Sequence, residues 1–205
     1  MNNNPGMPTS VSNLVDSIHK FGLDTKTREV HLHGAYTGMV DEDMAVEFLK
    51  NMRVLEGDSS EGITIHVMTV GGDYSYGMAV HDIIKLSKCH ITTISYGGAC
   101  SMGGIIPQAA DHRVIMPSCR FLAHYGFDGY IGVANAMQSA AEENKIFMKT
   151  VEDTLVNSAV NGAKFKGWTE KRVRTYITQK LTTKVDWWLS ADEAVEHGFM
   201  DEVLR

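Results

Sequence analysis

The sequence predicts an α/β fold in which parallel strands are joined by helical crossovers. Short β-type runs at 30–34, 63–70, 91–96, 113–116 and 120–124 alternate with segments of helical spacing in the first half of the chain. The second half is helical, with one long periodic run over 133–158. Strands separated by helix-length segments require parallel pairing and right-handed crossovers. With 205 residues, 43% hydrophobic and 21% charged, the chain is expected to form one compact domain with a substantial core.

The elements follow in order. The first ten residues are polar and broken by Pro and Gly, and are expected to form a mobile arm. Residues 1–27 read as this arm and an entry segment through Val15 and Ile18, and 28–205 as the domain proper. Val30, Leu32 and Gly34 alternate as a strand, and Asp41 precedes an amphipathic run carrying Met44, Phe48 and Met52. Gly57-Asp58-Ser59-Ser60 reads as a turn, 63–70 as a strand, Gly71-Gly72-Asp73 as a tight turn, and 78–86 as the apolar face of a helix. After the strand over 91–96 comes Gly97-Gly98-Ala99-Cys100-Ser101-Met102-Gly103-Gly104, then a short helix with Ile105 and Ile106. The long run places Met137, Ala141, Met148, Val151 and Leu155 near one face. Thr169 caps a helix carrying Val173 and Ile177. Ser190-Ala191-Asp192-Glu193 is a capping box and Gly198 a natural residue just past a helix end.

Composition excludes several classes. A net charge of −6 and a pI near 5.8, without a Lys/Arg cluster, argue against a nucleic-acid partner. No apolar stretch approaches the roughly 20 residues that span a bilayer, and the first residues lack the charge and apolarity of a secretion signal. A soluble, cytoplasmic chain is the expectation. Cys89, Cys100 and Cys119 are an odd number without C-x-x-C spacing, which fits reduced thiols rather than a disulfide frame or zinc site.

The glycine-rich run around Ser101 carries the chemistry. Small residues let a backbone turn sharply from strand to helix, where a serine hydroxyl stands beside the helix N-terminal N–H groups. Tight packing is the other reading of such a run. It is not the G-x-S-x-G elbow, because Ala99 stands two before Ser101. A serine nucleophile needs a base and the base an orienting acid. His124 ends a strand and precedes the glycine-punctuated Tyr125-Gly126-Phe127-Asp128-Gly129, a segment able to approach a bound substrate. His31 and His33 share a strand face, and a hydrogen-bonded pair is expected there rather than a metal site. His19, His66, His81, His90, His112 and His197 show no local constellation. Asp186 enters an apolar stretch, where burial would require a partner. Gly71 and Gly72 follow a strand but fit neither G-x-x-x-x-G-K-[ST] nor G-x-G-x-x-G, so no nucleotide cofactor is expected. If Gly72 and Met102 offer backbone N–H groups at the ends of neighbouring strands, both face a carbonyl oxygen attacked by Ser101.

The run at 97–103, the upstream Val70-Gly71-Gly72 followed by Gly77-Met78-Ala79-Val80-His81-Asp82, and the ending from Leu189 to Leu204 resemble the proteolytic subunit of the Clp protease family. The match extends from about Arg28 to Arg205. The resemblance implies a crotonase-like spiral of βαβ units with a protruding long-helix handle, and a serine endopeptidase enclosed by two stacked heptameric rings. It implies Ser101 as nucleophile, His124 as base, Asp186 as the third triad member, and Gly72 and Met102 as oxyanion donors. Gly71, Tyr125, Gly126 and Phe127 match the substrate-holding segments, and no metal is implied. Departures mark a divergent member. The family's Pro-Gly-Gly and following small residue are Val70-Gly71-Gly72-Asp73 here, its Gln-Pro after the histidine is Tyr125-Gly126, and Cys100 replaces an alanine. Aromatic positions of the cleft that docks an ATP-driven unfoldase are Thr64 and His66 here.

Three readings follow. The first is a self-compartmentalising endopeptidase acting on unfolded or short polypeptides, whose ATP dependence would belong to an AAA+ unfoldase. The second is a non-catalytic ring subunit assembling with an active paralogue. The third is an acyl-CoA enzyme of the crotonase superfamily, against which the full Ser/His/Asp set counts.

Overall fold

The structure is a computed structural model that describes residues 9–32, 38–127, 129 and 131–205. The first eight residues of the expected arm, together with His33, Gly34 and Asp128, lie outside the described residues. Helix α1 (Thr9–Phe21) begins inside the stretch expected to be an arm, and leads to β1 (Leu23–Asp24) and β2 (Glu29–Leu32).

After β3 (Met39–Val40), helix α2 (Glu42–Asp58) starts where Asp41 accepts a hydrogen bond from the Met44 N–H at 2.9 Å. Its buried face is Met44, Phe48, Met52 and Leu55. Gly57 and Asp58 belong to its last turn, so the expected turn begins only at Ser59. The reason lies in Arg28. Its buried guanidinium donates to the carbonyls of Leu55, Ser59 and Glu61 at 3.1, 3.1 and 3.2 Å, tying the last turn of α2 to the segment that follows it.

Strand β4 (Ile63–Thr69) buries Ile63, Ile65, Val67 and Thr69 and turns Thr64, His66 and Met68 to the other face. Gly71 and Gly72 are not a tight turn. They form β5 (Gly71–Gly72), which pairs in parallel with β3 as a separate two-stranded sheet. Asp73 then caps α3 (Tyr74–Lys85), accepting from the N–H groups of Ser75 and Tyr76 at 2.8 and 3.1 Å.

Strand β6 (Ile91–Cys100) runs through the glycine-rich segment instead of stopping before it. Ser95 stands opposite Val67 but Ala99 opposite Thr69, so four residues of β6 advance against two of β4. Gly97, at φ 62°, takes up this irregularity in the left-handed region that disfavours a side chain. The bend lets one strand serve two partners. Thr92–Ser95 pair with β7 (His112–Ile115), and Gly98–Cys100 pair with β8 (Arg120–Ala123). Between them stand α4 (Met102–Ile105) and a 3₁₀ turn (Ile106–Ala109).

Helix α5 (Ala134–Ala159) is followed by a 3₁₀ turn (Ala163–Phe165), α6 (Glu170–Lys184), β9 (Trp187–Leu189), α7 (Ala191–Glu196) and β10 (Glu202–Val203). The large sheet has eight strands, in the order β1-β2-β4-β6-β7-β10, with β8 joined to β6 and β9 to β8. Its inner pairs are parallel, as expected. The edge pairs β1–β2 and β8–β9 are antiparallel, because hairpin-length and long-return connections need no crossover. In α5 the expected apolar face is buried at Val151 and Leu155, while Met137 is 52% exposed and Ala141 is exposed too. Ser190 and Glu193 form the capping box of α7. Among the described residues no helix is long and apolar enough to cross a membrane.

Candidate active site

The bend in β6 delivers Ser101 to the mouth of a cleft of about 690 Å³. Ser101 itself sits at φ 54°, between the end of β6 and the first turn of α4, with its N–H bonded to the Leu122 carbonyl at 3.0 Å. A non-glycine residue in this conformation is held there by its surroundings, and such residues cluster at functional sites. Its hydroxyl is 2.8 Å from His124 Nε2.

His124 follows the last residue of β8, which is fixed between β6 and β9, so the imidazole is placed by two strand pairings. Its Nδ1 lies 3.0 Å from Asp186 Oδ1, and its side chain is only 11% exposed. The structure therefore brings Ser101, His124 and Asp186 into one hydrogen-bonded chain from three distant parts of the sequence. Asp186 departs from expectation in one respect: its carboxylate is 45% exposed rather than buried. It follows Val185, whose φ 61° and ψ −68° with the Asp186 N–H on the Lys184 carbonyl at 2.7 Å make a strained γ-turn.

The opposite wall is β5. A Cβ on Gly71 (φ 99°) would lie 2.6 Å from the Ser101 Cβ and 3.0 Å from the Met102 nitrogen, so the two backbones touch. The Met102 N–H belongs to the first turn of α4, where helix donors lack intrahelical acceptors. The Asp73 N–H turns to the Val40 carbonyl at 2.9 Å. In an extended segment successive N–H groups alternate, so that of Gly72 turns away from β3. Gly72 and Met102 both line the cleft beside Ser101.

Asp73 also borders the cleft, but its Oδ1 is occupied by the cap of α3. Gly126 (φ 86°) and Phe127, 91% exposed, line the far side, with the Phe127 ring edge-on to His124 at 5.9 Å. Tyr125 donates to Glu152 of α5 at 3.0 Å, and burial together with that carboxylate pushes its phenol up to about 12. Cys100 is buried, and burial raises its thiol, which keeps it from competing with Ser101 as a nucleophile at neutral pH.

Among the lining residues that sequence reasoning did not place at the site are Tyr74 and Phe147, whose rings meet edge to face at 4.2 Å and join α3 to α5. The aromatic at 74, right after a cap residue, is a usable signal; that at 147 stands between Ile146 and Met148 in the long helical run, where an apolar side chain reads as core. Sequence reasoning also missed a carboxylate near the histidine pair. His33 lies outside the described residues, and the structure sets His31 beside His66 and Glu29.

Comparison with known proteins accords with this arrangement. Residues 25–205 match the Clp protease family. The chain is 30% identical over 173 residues to the ATP-dependent Clp protease proteolytic subunit of Streptococcus gordonii, covering 82% of each. It is 28% identical over 200 residues to the ATP-dependent Clp protease proteolytic subunit 2 of Mycolicibacterium paratuberculosis, covering 96% of this chain and 91% of that one. Among solved structures, a mutant ClpP1 from Listeria monocytogenes matches with a TM-score of 0.70 at 24% identity, over 88% of this chain and 93% of that chain. That likeness carries the fold, which is the one the sequence resemblance implied.

Proposed function

The chain belongs to the Clp protease family, and on that premise we propose that it is a serine endopeptidase that cleaves unfolded or short polypeptides through an acyl-enzyme. The observation that carries this reading is the unbroken chain from Ser101 Oγ through both nitrogens of His124 to Asp186, at 2.8 and 3.0 Å. His124 Nε2 takes the Ser101 proton as Oγ attacks the peptide carbonyl. Asp186 keeps the other imidazole proton on Nδ1 and stabilises the imidazolium that forms. The N–H groups of Gly72 and Met102 receive the oxyanion, a task for which fixed backbone donors need no reorganisation. His124 then returns the proton to the leaving amine, and water releases the acyl group by the same steps.

The substrate lies extended along Gly71 and the Tyr125-Gly126-Phe127 segment, with its side chains toward the apolar wall made by Met102, Ile105, Phe147 and Val151. The chain works in the cytoplasm, as a homo-oligomer of two stacked heptameric rings, without metal or cofactor of its own. Any ATP requirement belongs to an AAA+ unfoldase that docks on it, and a paralogous ring is the other partner class. Intact-mass detection of a fluorophosphonate adduct tests the reading. One adduct per chain is expected on the unmodified protein and none on Ser101→Ala or His124→Ala. A folded, assembled protein that takes up no label would overturn it in favour of a non-catalytic ring subunit.

A further inference from the structure

The outer face of the large sheet carries a group of side chains that peptide hydrolysis does not use. Strands β2 and β4 pair in parallel with His31 opposite His66. The pleat that buries Val30, Leu32, Ile65 and Val67 leaves Glu29, His31 and His66 half-buried on the other side. The two imidazoles stack, centroids 4.6 Å apart and planes 14° apart. One ligand-capable atom from each of Glu29, His31 and His66 lies within 4.8 Å of the others.

His66 is the informative member. Its Nδ1 is 2.9 Å from the Tyr96 hydroxyl on the adjacent strand β6. Its Nε2 is buried and makes no hydrogen bond, although Glu29 Oε2 stands 3.4 Å away. Buried polar atoms are rarely left unpaired. In the tautomer that donates Nδ1–H to Tyr96, Nε2 presents a lone pair beside the Glu29 carboxylate, and a cation between them satisfies both. Around a tetrahedral ion bound at about 2.0–2.1 Å, neighbouring donor atoms are roughly 3.3 Å apart. The Glu29–His66 separation already matches such an edge, and the His31 ring joins them by rotating out of its near-parallel stack on His66.

We propose that Glu29, His31 and His66 form a binding site for a divalent transition metal of the zinc class, with Tyr96 as a positioning residue that fixes the His66 tautomer. Two imidazoles and one carboxylate are a zinc donor set, and three protein ligands leave a fourth position for water. The bound ion ties β2 to β4 across the outer face of the sheet. None of Ser101, His124 or Asp186 takes part, so the proposal stands or falls apart from the peptidase reading.

The test uses the full chain, freed of metal by chelator and dialysis, titrated with zinc by calorimetry and with cobalt(II) by visible absorption. About one zinc per chain and a cobalt spectrum of low-coordinate N/O type are expected. Tyr96→Phe should weaken zinc binding about 10–100-fold, the usual cost of losing a residue that orients a ligand. His66→Ala and Glu29→Gln should each weaken it at least as much. His112→Ala, which removes a histidine facing Asp201 and Glu202 at 3.9 and 3.8 Å, should leave it unchanged. Circular dichroism in chelator separates lost ligands from lost folding, and Glu29→Gln, the mildest change, serves where His66→Ala does not fold. No saturable zinc uptake by the unmodified chain, or uptake indifferent to both Glu29→Gln and His66→Ala, would overturn the proposal.

Discussion

Gly71→Ala places one methyl group where the candidate site has no room for it. The new Cβ would lie 2.6 Å from the Ser101 Cβ, 2.7 Å from the Cys100 carbonyl oxygen and 3.0 Å from the Met102 nitrogen, against 3.4 Å or more for ordinary contact. The shortfall against Ser101 is therefore about 0.8 Å, and two of the three obstacles are backbone that cannot swing aside. The strand carrying Gly72 and the corner carrying Ser101 must separate by nearly an ångström. A displacement of that size at reacting atoms costs on the order of 100-fold in rate, and forcing alanine to φ 99° costs about 1–3 kcal/mol of stability besides. Gly97→Ala supplies the control. It also has a positive φ, 62°, but nothing lies within 4 Å of its Cβ, so it should lose about 1–2 kcal/mol of stability with little change at Ser101. The assay is the second-order rate of fluorophosphonate labelling followed by intact mass, beside urea unfolding of all three proteins. Labelling of Gly71→Ala within about threefold of the unmodified rate would refute the argument that contact between β5 and the Ser101 corner sets the site geometry.

Two further substitutions probe the scaffold. Asp73→Ala should cost about 1 kcal/mol in urea unfolding and Asp73→Asn only a few tenths, because asparagine can still cap α3; equal losses would show that the carboxylate charge, not the cap, matters. His197 is buried among Phe165, Tyr176, Trp187 and Phe199, and burial holds its pKa below the ordinary 6.5. The unfolded chain then takes up a proton near pH 6.5 that the folded chain refuses, so stability is full above that pH and falls as pH drops toward the folded-state value. His197→Phe should flatten part of the fall in urea midpoint between pH 7.5 and 5.5, and an unchanged slope would assign the effect to other groups.

Much of this molecule is legible in local sequence because its helices announce themselves. Asp41, Thr169 and Ser190 each cap the helix they precede, and the apolar spacing of α2 is the face it buries. What local patterns cannot reveal is how a strand uses its neighbours. Gly97-Gly98 looks like a terminator, yet it is a bulge inside β6, because a second strand, β8, takes over the pairing that β7 leaves. Gly71-Gly72 looks like a turn, yet it is an extended pair against Met39 and Val40, which stand thirty-two positions earlier. Likewise Glu29, His31 and His66 belong together only through parallel register, which no motif encodes. Local surroundings single out Ser101, His124 and Asp186 one by one, but only the family resemblance joins them as a triad, because their spacing in sequence, 23 residues from Ser101 to His124 and 62 from His124 to Asp186, carries no signal.

The three members of that triad are held with unequal firmness, and this follows from the elements that carry them. Ser101 is pinned by the Leu122 carbonyl, by α4 and by contact with Gly71. His124 extends a strand bonded on both sides. Asp186 hangs from the γ-turn at Val185, a β-branched residue 66% exposed, so no packing compensates a backbone strain of about 1–3 kcal/mol. Its carboxylate is 45% exposed, which screens its attraction to His124. The strain is offset chiefly by the short β8–β9 pairing and the one bond to His124 Nδ1. Breaking that bond relaxes the turn while leaving the Ser101–His124 contact intact, so the acid arm is where the aligned arrangement is least costly to lose.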